Sequence, residues 1–218
     1  MSLSNNILSK AQGRHRRNPE ATRASILASA QIEFAEHGLR GGRIDRIADR
    51  AKANKQLVYY YFGGKEELYR AALEATYAEI RKRETELDLS ALPPETAMKR
   101  LIEFSLDYFA SNREFIRLLS DENTHGAEHI KNSEFAKNTN SPILKLVSEI
   151  LERGVEEGVF RKGVDPLELY ISISGMTFFY FANAATLSAI FGRELDRTET
   201  IAAYREHIVT LTINGLRA

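Results

Sequence analysis

The 218-residue chain contains no cysteine, so disulfides, thiolate metal sites and thiol nucleophiles are all excluded. That absence fits a reducing, cytoplasmic setting. Strand signals are missing, because apolar residues recur at spacings of three and four rather than two. Residues 1–10 hold no apolar run long enough for a signal peptide. No Ser/His/Asp grouping, phosphate-cradling glycine loop or nucleotide fingerprint occurs, which argues against an enzyme and against a cofactor. Internal repeats and low-complexity segments are also lacking. Net charge is zero, with 30 Lys/Arg against 30 Asp/Glu, and by itself this speaks against a nucleic-acid partner.

Neutrality conceals an uneven distribution. Residues 1–70 carry 13 Lys/Arg against 7 Asp/Glu, and residues 71–218 carry 17 against 23. A basic head on an acidic body is the pattern of a DNA-binding module joined to a domain that does not touch DNA. With 43% hydrophobic and 28% charged residues the chain has the balance of a globular protein with a core of useful size. Leu169–Phe191 is uncharged and long enough to span a bilayer. Its load of Ser172, Ser174, Thr177, Asn183, Thr186 and Ser188 favours a helix buried on most sides by protein, and no membrane association is expected.

The periodicity predicts an all-α fold of nine helices. The first opens with Asn18 as N-cap and Pro19 at the first helical position, shows Ile26, Leu27, Ala30 and Phe34 on its apolar face, and closes at Gly38. Short helices follow over 43–51 and 55–62, the latter ended by Gly63-Gly64. Longer ones are expected over 65–87, 94–111, 113–121, 141–157, 166–191 and 197–216. No flexible linker separates the halves, so the predicted division is a basic arm over 1–17, a small helical domain over 18–64, and the remainder over 65–218.

Helices two and three are joined by Lys52-Ala53-Asn54 and braced by the longer first helix, a helix-turn-helix arrangement. Ile47, Ala48, Phe62 and either Leu57 or Val58 should pack inward, leaving the opposite face of helix three free to enter a major groove. Asn54 can cap that helix and so direct backbone N–H groups at phosphate. The run from Ile47-Ala48 through Ala51-Lys52-Ala53-Asn54-Lys55-Gln56-Leu57-Val58-Tyr59-Tyr60-Tyr61-Phe62 to Gly63-Gly64-Lys65-Glu66-Glu67-Leu68 resembles the signature of the tetracycline-repressor (TetR) family. The likeness covers about Thr22 to Tyr69.

That resemblance implies a dimeric transcriptional repressor binding double-stranded operator DNA and responding to a small-molecule effector. It places Lys55, Gln56 and Leu57 against base edges, Tyr59 and Lys65 on phosphate, Tyr60 at the groove wall and Tyr61 facing DNA. Arg43 stands where the family usually has threonine, and a longer cation there can still reach phosphate. Two departures are evident. Lys52 occupies a turn position usually held by glycine, and Gln56 and Leu57 replace small residues, which points to an unusual operator. The basic run Arg14-His15-Arg16-Arg17 would add phosphate or minor-groove contacts.

For the body, the resemblance implies a homodimer through residues 166–216, where Gly175, Ala182, Ala184, Ala185 and Ala189 would let backbones approach closely. Effector-pocket candidates are Phe104, Tyr108, Phe109, Leu118, Phe178 and Tyr180, with Asp107, Asn123 and Asn183 as polar handles. Such a lining suits an aromatic or moderately hydrophobic effector. The segments Gly158-Val159-Phe160 with Asp165-Pro166, and Ile213 to Arg217, are similar to the branch of the family containing the pyrimidine-utilisation regulator. A rival chemistry lies in Asp121, Glu122, His125, Glu128 and His129, since His125 and His129 at i, i+4 could share a metal. Gly126 weakens a helix there, so a solvated loop without metal is the expectation. The alternatives to a regulator are a helical metalloenzyme built on that cluster and a scaffold that merely dimerises.

Overall fold

A computed structural model describes residues 18–131, 133 and 141–218 of the chain. The basic arm over 1–17 lies outside the described residues. Helix α1 (Pro19–Gly41) starts as its sequence dictates: Asn18 Oδ1 accepts from the Glu20 amide at 3.0 Å and proline fills the first turn. At Gly38 the backbone turns to φ 65°, ψ 177°, so the helix breaks where glycine was expected to close it. One further turn then leads to Gly42, whose amide donates to the Gly38 carbonyl at 3.0 Å. Helices α2 (Ile44–Arg50) and α3 (Lys55–Phe62) follow, then α4 (Lys65–Thr85), a 3-10 turn at Leu89–Ala91, α5 (Pro94–Ser111) and α6 (Arg113–Thr124). The chain continues through α7 (Ser141–Glu156), α8 (Pro166–Ala182), α9 (Ala184–Phe191) and α10 (Thr198–Leu216).

Among the described residues there are thus ten α-helices and no strand, one more helix than the periodicity implied. The extra one comes from the apolar segment 166–191, which is bent by 69° at Asn183. Asn183 leaves helical geometry at φ −112°, ψ 6°, and its side-chain amide donates back to the Phe179 carbonyl at 2.9 Å, ending one helix as the next begins. No single helix among the described residues is long and apolar enough to cross a membrane. Nor is this segment enclosed on most sides. Leu167, Ile171, Phe179, Ile190 and Phe191 are exposed.

Apolar side chains gather into two cores. The N-terminal one takes Ile26, Ala30 and Phe34 from α1, Ile47 and Ala48 from α2, and Val58 and Phe62 from α3. Leu68, Tyr69, Ala72 and Leu73 of α4 and Leu118 of α6 complete it, so the body supplies part of the wall of the head. The larger core is built on α5, whose Ala97, Met98, Leu101, Ile102 and Leu106 meet α7, α8 and α10. An isolated antiparallel bridge between Phe160 and Arg217 ties the connector before α8 to the C-terminus.

Candidate nucleic-acid interface

The corner between α2 and α3 is tight. Lys52 adopts φ 52°, the left-handed region that glycine tolerates best, and the Ala53 amide closes the turn on the Ala48 carbonyl at 2.9 Å. Asn54 Oδ1 then accepts from the Leu57 amide at 2.9 Å and caps α3. Of the two candidates for the inward position, Val58 is buried and Leu57 half-buried. Val58 and Phe62 stand four residues apart on the buried face, Gln56 and Tyr60 lie opposite it, and Tyr59 at its flank and Lys55 in the first turn are exposed as well. Tyr59 is 51% exposed and Tyr60 79%, far beyond what a core aromatic shows. Tyr61 is half-buried and meets Tyr60 edge-on at 5.1 Å. The Arg23 guanidinium covers the Phe62 ring at 5.0 Å, anchoring the end of α3 to α1.

The cations on this face are held in place. Asp45, in the first turn of α2, forms ion pairs with Lys55 and, at 3.8 Å, with Arg43. Lys65 Nζ donates to the Arg40 carbonyl at 3.1 Å, which docks the start of α4 on the end of α1 and leaves protons for another acceptor. Glu33 went unremarked in the sequence yet is fully buried, and Oε1 accepts from the Arg43 amide at 3.0 Å and from Arg46 Nε at 2.8 Å. It fixes the α1–α2 corner. An acid next to Phe34 on the apolar face of α1 was the signal.

The cluster Asp121, Glu122, His125, Glu128 and His129 is a joint rather than a solvated loop. Asp121 Oδ2 accepts from the Leu39 amide at 2.9 Å and from the Tyr69 hydroxyl at 2.8 Å, linking α6 to the kink of α1 and to α4. Burial and this carboxylate push the Tyr69 hydroxyl up from its ordinary value. Glu122 is 1% exposed and accepts from the His129 and Ile130 amides at 2.8 and 3.0 Å. His129 Nδ1 lies 3.0 Å from Glu122 Oε2, and His125 Nδ1 lies 2.8 Å from the Asp121 carbonyl oxygen. Glu128 and Gly126 face solvent, but the turn expected to be wet is tied down by the buried Glu122 and the half-buried Asp121. Among the described residues the ligand atoms that do cluster are those of Glu33, Glu36 and His37, where Arg46 and Arg50 already meet the carboxylates.

Residues 26–72 match the family of bacterial regulatory proteins known as the tetR family, and residues 94–211 match the tetracyclin repressor-like C-terminal domain. The chain is 33% identical over 198 residues to the HTH-type transcriptional repressor NicS of Pseudomonas putida, across 91% of this chain and 93% of that protein. It is 26% identical over 220 residues to the HTH-type transcriptional regulator RutR of Escherichia coli, across 95% and 96% of the two chains. The fold superposes on that of the transcriptional regulator SCO4942 from Streptomyces coelicolor with a TM-score of 0.65 at 25% identity, over 89% of this chain and 98% of that one. The chain belongs to the TetR family.

This TetR-family protein is a DNA-binding transcriptional regulator. Its body brings some of the expected pocket residues together and scatters others. Phe104, Tyr108, Phe109 and Phe178 form a chain of rings with successive centroids 5.9, 6.0 and 6.2 Å apart, and Tyr108 and Phe109 are buried within it. Phe104 and the exposed Asp107 also line a cleft with Arg100, Glu103 and Arg205, where Arg205 pairs with Asp107. Leu118 sits in the N-terminal core, and Asn123 is exposed. Tyr180 stacks on Tyr204 at 4.1 Å and donates to the Leu195 carbonyl at 2.8 Å, while Asn183 is spent on the helix break. Sequence reading missed Arg81 and Glu84, two buried charges on α4. Their signal was position: both follow Leu73, Tyr77 and Ile80 on the face of α4 that turns inward.

Proposed function

We propose that this TetR-family regulator is a non-enzymatic repressor that grips its operator as a homodimer and lets go when a small molecule occupies its body. The observation that carries the DNA reading is α3. Val58 and Phe62 bury one edge of it and leave Lys55, Gln56, Tyr59 and Tyr60 exposed. In the docking we favour, Lys55, Gln56 and Leu57 meet base edges, Arg43, Tyr59 and Lys65 meet phosphates, and Tyr60 and Tyr61 line the groove. Residues 1–17 would track the adjacent backbone, 18–64 would read DNA, and 65–218 would bind effector and partner. The name of NicS, a transcriptional repressor, supports repression over activation.

Dimerisation through residues 166–216 is supported by the exposed Leu167, Ile171, Phe179, Ile190, Phe191 and Leu211, an apolar load that a monomer rarely leaves in water. Ala184 is buried within the protomer, so close backbone approach would fall to Gly175, Ala182, Ala185 and Ala189. Release follows from the joint. Helix α4 runs from Lys65 at the DNA face into the body, and Asp121 fastens it and α1 to α6. A ligand that shifts this joint changes the spacing of the two recognition helices, and a tenfold loss of operator affinity needs a coupling of only about 1.4 kcal/mol. The test is to incubate purified protein with fragments of its own genome and sequence those retained. Enrichment of inverted repeats supports the reading, whereas retention without sequence preference contradicts it.

A further inference from the structure

Arg81 and Glu84 stand one turn apart on α4 and are 7% and 4% exposed. Arg81 Nη1 and Glu84 Oε2 lie 2.7 Å apart, and Arg81 Nη2 donates to the Tyr170 hydroxyl at 2.6 Å. The pair is nevertheless incomplete. Beyond that close approach, Arg81 Nε and Nη1 and Glu84 Oε2 make no hydrogen bond to the described residues. Burial outweighs the pull of Arg81 and pushes the Glu84 carboxyl up to about 7. Buried donors and acceptors are almost always matched, and an unmatched set inside a binding domain calls for a partner. A cavity of about 260 Å³ is lined by these same two side chains, with Leu89, Ile143 and Leu146 as its apolar wall and with Asp88, Lys145 and Glu149 adding two acids and one base to its lining.

We propose that this cavity is the effector site, and that it takes a small, uncharged molecule presenting a carboxamide-type group on an apolar body. The inference rests on the reading of the body as effector-binding. The carbonyl accepts from Arg81, the adjacent N–H donates to Glu84, and the apolar body lies on Leu89, Ile143 and Leu146. The unmatched atoms are shut off from solvent, so the two side chains rotate into the cavity they already line as the head enters. Above pH about 7, where Glu84 is ionised, a carboxylate head finds no proton to accept from it and adds a third charge to a desolvated pair, and an ammonium head faces Arg81. A neutral head with both functions side by side avoids each cost.

The test uses the full chain at pH 8, where Glu84 is ionised, and three probes: benzamide, N,N-dimethylbenzamide, which lacks the N–H, and benzoate. Binding is followed by calorimetry and by the Arg Nε–H resonances of protein labelled with 15N-arginine. Benzamide is expected to bind saturably, to shift the Arg81 resonance, and to bind about tenfold more tightly than either control. The double variant Arg81→Met/Glu84→Leu removes both members of the pair, an exchange that buried ion pairs often tolerate, and retained operator binding reports its fold. It should lose the preference for benzamide. No saturable benzamide binding, equal binding of all three probes, or a preference that survives in the double variant overturns the proposal. Benzamide binding at Arg81 that leaves operator affinity unchanged keeps the site and removes effector release from the reading above. An operator-releasing compound indifferent to the double variant overturns the site and keeps release.

Discussion

Asp45 sits among the cations of the proposed DNA face, paired with both Lys55 and Arg43, so its carboxylate competes with phosphate for them. Replacing it by asparagine frees two positive charges. Asp45→Asn is expected to tighten binding to any duplex and to steepen the dependence of log K on log salt by about one phosphate contact, read by fluorescence anisotropy across a salt series. Unchanged affinity and slope would mean that these pairs do not compete with DNA. Lys65→Ala should act in the opposite sense, weakening all operators about equally and flattening the slope by about one contact. Equal affinity and slope in that variant would remove Lys65 from the docking. At the turn, Lys52 holds φ 52°, and Lys52→Gly should stabilise the head by up to about 1 kcal/mol, seen as a higher melting temperature. The strain there was legible in the sequence, because a side chain stands where the corner needs a left-handed residue. The pairing of Asp45 was not, since it depends on how α2 and α3 cross.

Helix α6 is tied to the head by the Asp121 carboxylate as well as by the buried Leu118. Asp121→Ala strips the acceptor from the Leu39 amide and the Tyr69 hydroxyl together, and each buried donor left unmet costs about 1–3 kcal/mol. A drop in melting temperature is therefore expected, and Gly38→Ala should do the same by another route. Its φ is +65° and an added Cβ would stand 2.5 Å from Asp121 Oδ1. If both variants melt as the parent does, the joint is not what couples α1 to α6. Most helix limits were legible from caps and breakers: Asn18-Pro19, Asn54, Gly63-Gly64 and Pro93-Pro94 all act locally. The bend at Asn183 was not, because the apolar pattern runs through it. What holds the bend is distant: Ser188 and Tyr180 both hydrogen-bond Leu195 beyond α9. The bond from Leu39 to Asp121, a residue the sequence singled out only as a metal ligand, escaped notice for the same reason, since the two are 82 residues apart in sequence. A motif on one helix can be read from the chain, whereas a contact between helices requires the fold.

For the molecule as a whole, the exposed Ile171 and Phe179 mark the surface proposed for the dimer. A charge there, as in Ile171→Glu, should yield monomers or aggregates in analytical ultracentrifugation and reduce operator binding, because one half-site alone binds weakly. A monodisperse wild-type monomer at micromolar concentration would contradict the dimer. Coupling between body and head has a thermodynamic signature of its own: an effector that weakens operator binding must itself be weakened by operator to the same factor. The central claim, that the outward edge of α3 reads base sequence, is tested most directly by selecting duplexes from a random library with the wild type and with Gln56→Ala. The account predicts an inverted repeat for the wild type and, for Gln56→Ala, the same spacing with altered base preference at one position in each half-site. An identical motif for the two proteins, or no motif for either, would contradict it.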